Sequence, residues 1–198
     1  MSNYKWYQLK TNQTMSGSGW DNTRMYSNAM KVWAYLNSTY GLDAIHVAGI
    51  LGNFQEEGYI NPAQFEIGGS MADDTPNGYG MGQFTPGSAY ISLAGNKVNK
   101  AGSNGRYQLD VIYNDTLSKW AGYGSMNEYL TTTSTPGDAA AYWLYKWERP
   151  ADPAASEQTR RDNADYWYAE ITGQPFPGGD FDLIPALESL KRQFFIHY

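Results

Sequence analysis

The chain has 198 residues, enough to bury roughly 70% of the surface that its unfolded form exposes, so one sizeable core and one main domain are expected. Twenty acidic residues against 14 basic give a formal charge of -6, which leaves none of the clustered cations that neutralise phosphates and excludes nucleic acid as a partner. The absence of cysteine excludes disulfides and thiolate zinc sites, and no stretch approaches the roughly 20 apolar residues of a membrane span or forms a secretory signal.

In chain order, residues 1–20 end in "SGSGW", a flexible composition, and read as a leader or short linker ahead of the main domain. From Met25 to Tyr40, the positions Tyr26, Ala29, Met30, Trp33, Leu36 and Tyr40 recur at three and four, one face of a helix stopped by Gly41. Asp43 can cap a second helix, "AIHVAGILGNFQEE", that ends at Gly58. Residues 59–85 are rich in Gly, Asn, Asp and Pro without helical period, which predicts turns with a small hairpin, and so long an irregular stretch suggests a functional segment.

Helices resume with a stripe of Leu109, Ile112, Tyr113, Thr116, Leu117 and Trp120. "SMNE" at 125–128 fits a capping box. Thr135 and Pro136 open another helix, with Ala140, Trp143, Leu144 and Trp147 on one face and Pro150 closing it. A helix from about Ser156 to Ile171 stops at Gly173, after which residues 173–198 read as a linker and a terminal amphipathic helix. The fold class is therefore mostly α (α+β), with residues 21–172 as the main domain and a small irregular or β region after the second helix.

Aromatic residues make up 16% of the chain and charged residues only 17%. Amphipathic rings suit stacking on polar, ring-shaped ligands, but the same composition also describes a Tyr-rich core. Two histidines, His46 and His197, form no metal or nucleophile motif, and "GYGMGQ" lacks the spacing and βαβ context of a nucleotide loop. No metal or cofactor is expected.

The chemistry concentrates in "GNFQEEGYINPAQFE", residues 52–66. Val47, Ile50, Phe54 and Glu57 follow a three, four, three spacing, so Glu57 continues the apolar stripe, whereas Glu56 falls beside Gly49, Gly52 and Asn53. A carboxyl on an apolar stripe at a helix C-terminus is disfavoured as an anion by desolvation and by the helix dipole, which suits a protonated acid that donates to a leaving oxygen.

Three segments carry a resemblance. "GILGNFQEEGYINP" resembles the helix-end signature of the phage tail lysozyme family, "GYGMGQFTP" (78–86) its Gly-Tyr-Gly-Leu-x-Gln-Trp-Thr segment, and "WERP" (147–150) with Arg161 and Ala164 its late helical motif. The match covers roughly residues 42–172 and implies a lysozyme-like helical domain. It implies Glu57 as general acid on the β-1,4 bonds between amino sugars of bacterial peptidoglycan. The family's Glu is usually followed by Ser-Gly, and reading "EEGY" that way would favour Glu56; spacing to Gly52-Asn53 and to Asn61-Pro62 favours Glu57. Met81 and Phe84 stand where Leu and Trp are common.

Hydrolysis usually needs a second carboxylate. Glu66 resembles an acidic position after Asn-Pro that recurs in that family and ranks first, Asp74 second, while Asp73 reads as a solvated turn. Without one, the resemblance extends to lytic transglycosylases that use a single Glu. Tyr79, Gln83, Phe84 and Trp147 are the candidates for substrate binding, although Trp143 and Trp147 at helical spacing read first as core. The resemblance also implies carriage on a virion, in a phage tail, with other tail proteins as partners and action on the host cell wall. A soluble lysis enzyme and a glycan-binding or structural virion protein are the competing readings.

Overall fold

A computed structural model describes residues 5–174 of the chain. Among them are eight α-helices: α1 (Met15–Ser18), α2 (Asn22–Tyr40), α3 (Ala44–Gly58), α4 (Gly87–Ala94), α5 (Asn104–Tyr113), α6 (Met126–Thr132), α7 (Pro136–Trp143) and α8 (Glu157–Thr172). The linker and amphipathic helix expected from residue 173 onward fall, beyond Gln174, outside the described residues.

Local chemistry sets most boundaries. Asp21, Asp43, Ser125 and Thr135 each accept a hydrogen bond from a backbone N–H three residues on, at 2.8 to 3.0 Å, and so cap α2, α3, α6 and α7. Pro136 opens α7, where its missing N–H costs nothing, and Gly41 and Gly173 end α2 and α8 in the left-handed conformation.

The middle of the molecule is α3, whose residues from His46 to Phe54 are all buried. It packs against α8, α7 and α2, and α7 and α8 pack against each other. Two glycines permit this closeness. A Cβ on Gly49 would lie 2.5 Å from the Ala139 Cβ, and one on Gly52 would lie 2.6 Å from the Arg160 carbonyl oxygen. The face on which Glu56 was placed by spacing is thus filled by the backbones of α7 and α8, with Glu56 itself exposed at its edge.

Two expectations are corrected. Residues 5–20 are not a free leader. Trp6 and Trp20 are each 3% exposed, the Trp6 N–H donates to the Ala101 carbonyl, and Asn61 clasps the backbone of Leu9 through both its amide atoms. The stripe from Leu109 to Trp120 is not one helix: α5 begins at Asn104 and ends at Tyr113, and Leu117 and Trp120 reach the core from turns. Residues 59–85 are turns with one tight hairpin, as expected: Tyr79 and Phe84 exchange both backbone hydrogen bonds, at 3.2 and 2.9 Å. Their β character is limited to isolated bridges, Phe65 to Tyr79 and Tyr79 to Phe84, with Thr11 bridging to Gln64.

The late helix also has a feature that periodicity does not show. After Trp143, α7 widens into a π-helical turn, Leu144–Glu148, which ends at Arg149 with a positive φ of 52°. Such turns insert one residue into the helical ladder and commonly sit at functional sites. No helix among the described residues is long and apolar enough to cross a membrane.

Candidate active site

Glu57 occupies the last turn of α3, and the backbone after it is tightly specified. Tyr59 and Ile60 both adopt positive φ, at 51° and 54°, an unusual conformation for a β-branched residue. Their carbonyls are held from elsewhere: the Trp20 indole donates to Tyr59 O at 3.0 Å and the Asn28 amide to Ile60 O at 3.0 Å. Gln83 and Arg149, which line the same cleft as Glu57, also have positive φ. Strain of this kind persists where surrounding structure over-determines it, and it clusters at functional sites.

The cleft has a volume of about 510 Å³, within the range of ligand sites. Three carboxylates line it: Glu57, Glu66 and Glu148. Arg160 Nη2 donates to Glu57 Oε1 at 2.5 Å, and Arg160 Nη1 donates to Asn53 Oδ1 at 2.9 Å. The guanidinium is nearly buried, at 6% side-chain exposure, while Glu57 keeps 20% and remains open to the cleft. The apolar stripe that carries Glu57 therefore ends against a cation from α8, which corrects the expectation of a carboxyl with only apolar neighbours.

Glu148 sits at the end of the π turn. The Trp143 indole N–H donates to its Oε1 at 3.2 Å. Burial pushes this carboxyl well above the usual range, and the negative charge of Glu57 adds to the effect, partly countered by Lys119 and Arg160. Glu66 is exposed, and one of its carboxylate oxygens accepts the Gly78 N–H at 3.0 Å.

The remaining candidates separate. Glu56 points to α8 and accepts from the Asn163 amide at 2.8 Å. Asp73 pairs with Lys10 at 3.6 Å, and neither Asp73 nor Asp74 lines the cleft. Gln83 lines it, but its amide nitrogen is engaged by the Gly80 carbonyl at 2.9 Å. Tyr79, Phe84 and Trp147 are 3%, 1% and 1% exposed. Their rings lie in the core beneath the surface, so they cannot stack on a sugar here as expected; the Tyr79 phenol is pushed up to about 12 by burial. Among the described residues no cluster of three or more His, Asp or Glu could hold a metal ion.

Residues 27–171 match the family model described as phage tail lysozyme. The chain belongs to the phage tail lysozyme family. The matched residues run from α2 through α8 and so include all three carboxylates of the cleft. A further relative is "Morphogenesis protein 1" of Bacillus phage B103, 28% identical over 135 residues. The aligned region is 67% of this chain but only 36% of that relative, so the chain spans about a third of the relative it matches.

Of the residues at this phage tail lysozyme cleft, Arg160 has no role in the sequence reading, and Glu148 enters it only within the "WERP" motif, without a chemical role. Arg160 had a signal: with Ala164, Trp167 and Ile171 it lies on the inward stripe of α8, and a cation there needs a buried anion. Glu148 had a signal in that motif, but the π turn that aims it into the cleft cannot be read from apolar periodicity.

Proposed function

We propose that this protein is a peptidoglycan-degrading glycosidase that cleaves β-1,4 bonds between amino sugars of the bacterial cell wall. The observation that carries this reading is the placement of Glu57 in the cleft, held by Arg160 and faced by further carboxylates, while Glu56 is turned away to α8. Glu57 acts as general acid on the leaving glycosidic oxygen. Glu66, whose carboxylate is oriented by the Gly78 N–H, is the candidate base or nucleophile. If Glu66 takes no part, Glu57 serves as acid and then base, and the sugar's own 6-hydroxyl closes an anhydro ring.

The family and the name of the relative, a phage morphogenesis protein, support carriage on a virion, with peptidoglycan strands as substrate and other tail proteins as partners. The test is digestion of purified Gram-positive and Gram-negative peptidoglycan by wild type, Glu57→Gln and Glu56→Gln, with soluble fragments weighed by mass spectrometry. Glycan fragments from wild type and Glu56→Gln alone support the reading. Reducing ends indicate hydrolysis, and ends lighter by one water indicate transglycosylation. No fragments from any of the three would leave a glycan-binding or structural role.

A further inference from the structure

Glu57 and Glu148 come to one cleft from α3 and from the π turn after α7, and each is held by a different kind of donor. Glu57 is bound to a guanidinium, a charge-assisted contact suited to a carboxylate. Glu148 is bound to the neutral indole of Trp143 at the end of a buried wall. The charged groups that act on Glu148 are Glu57 from α3, Arg160 from α8 and Lys119 from the loop after α5, and Glu66 and Arg149 line the same cleft. Lys119 lies over the buried Trp147 ring at 4.9 Å, so one cation stands on the Glu148 side of the cleft and another, Arg160, on the Glu57 side.

A general acid must hold a proton before the substrate arrives, yet Glu57 in this structure is ion-paired. We propose that Glu148 stores the proton which Glu57 delivers, so that the two carboxyls work as a pair holding one proton between them. The proposal rests on the glycosidase reading and adds to it the residue through which Glu57 is recharged. Of two interacting carboxyls, the one desolvated and bound to a neutral donor takes the shared proton, and the one bound to arginine takes the charge.

The steps balance. In the free enzyme Glu148 is the neutral acid and Glu57 the carboxylate. When glycan fills the cleft, the proton passes from Glu148 to Glu57, and Lys119 stabilises the carboxylate left on Glu148. Glu57 then protonates the glycosidic oxygen as the bond to the anomeric carbon breaks. The attacking water gives its hydroxide to that carbon and its other proton to the base of the cleft, from which the pair is refilled. Glu148 acts through Glu57 and does not touch the sugar.

Two measurements test this. The first needs no substrate: infrared difference spectra over a pH titration report the C=O band of a neutral carboxylic acid. At neutral pH that band should be present in wild type and Glu57→Gln and absent from Glu148→Gln. A band surviving in Glu148→Gln overturns the proposal whatever the enzyme acts on. The second is the pH profile of kcat/KM on peptidoglycan. Glu148→Gln should retain activity at acid pH, lose at least tenfold at neutral pH, and shift its basic limb acidward, with Glu148→Asp restoring much of the wild-type profile. A profile superimposable on wild type, or total inactivity at every pH in a folded Glu148→Gln protein, would overturn it. Wild type that releases no glycan at any pH refutes the glycosidase reading instead, while the infrared result stands apart.

Discussion

Arg160 Nη2 lies 2.5 Å from Glu57 Oε1, joining two residues 103 positions apart across the packed faces of α3 and α8. The same guanidinium donates to Asn53 Oδ1 and, through Nε, to Ser156 Oγ at 3.1 Å. Replacing Arg160 by Met strands the Glu57 charge and the Asn53 oxygen together. Breaking a fully buried ion pair costs about 3–5 kcal/mol. Because Glu57 keeps a fifth of its side-chain exposure, Arg160→Met should cost less, about 2–3 kcal/mol in urea unfolding. The double variant with Glu57→Gln should lose less than the sum of the single variants, as expected for partners in direct contact.

Gly49→Ala and Gly52→Ala should each destabilise by about 1–3 kcal/mol or more, since the new methyl meets neighbouring backbone that cannot rotate away. The two differ in function. At Gly52 the obstruction is the Arg160 carbonyl, so thermal melts should fall for both variants, but activity measured well below the melting temperature should fall further for Gly52→Ala.

Glu148 makes stability depend on pH in a defined direction. A carboxyl whose folded-state value is raised contributes stability that is complete below its unfolded value, about 4.5, and is lost as pH rises through the folded value. Glu148→Gln, which cannot ionise, should therefore melt at a higher temperature than wild type at pH 8 and lose this advantage toward pH 4. A variant more stable yet less active at neutral pH is the expected signature of a group retained for function.

Tyr79→Phe separates support of the cleft from contact with substrate. The Tyr79 hydroxyl accepts from the Asn104 amide at 3.3 Å inside the core. Its loss should cost about 1 kcal/mol of stability and leave KM for peptidoglycan unchanged. A raised KM with unchanged stability would return the ring to the cleft surface.

What the sequence made legible was local. Asp43, Ser125, Thr135, Gly41 and Gly173 mark helix ends because capping and left-handed turns are chemistry between near neighbours. The three, four, three spacing put Glu57 on the stripe that runs on from Val47, Ile50 and Phe54 because a helix repeats by itself. The unread parts depend on contacts far apart in the chain. Arg160 reaches Glu57 only after α3 and α8 pack, and Glu148 is aimed by a turn whose register apolar spacing does not encode. Composition likewise could not tell whether Tyr79, Phe84 and Trp147 were platform or core, since the same rings serve both.

The bonds from residues 9–12 to residues 61–69 add an ordering in time. Asn61 clasps Leu9, Thr11 O accepts the Phe65 N–H, and Asn12 O accepts the Gly68 N–H. Trp6 is anchored still later, at Ala101. As the chain leaves the ribosome, Tyr7 meets Asn28 of α2 only 21 residues on, whereas the Trp6 N–H must wait for Ala101. The Trp6 end of this segment is thus the last part of it to set, and a nascent chain arrested before residue 101 should hold Trp6 still unseated.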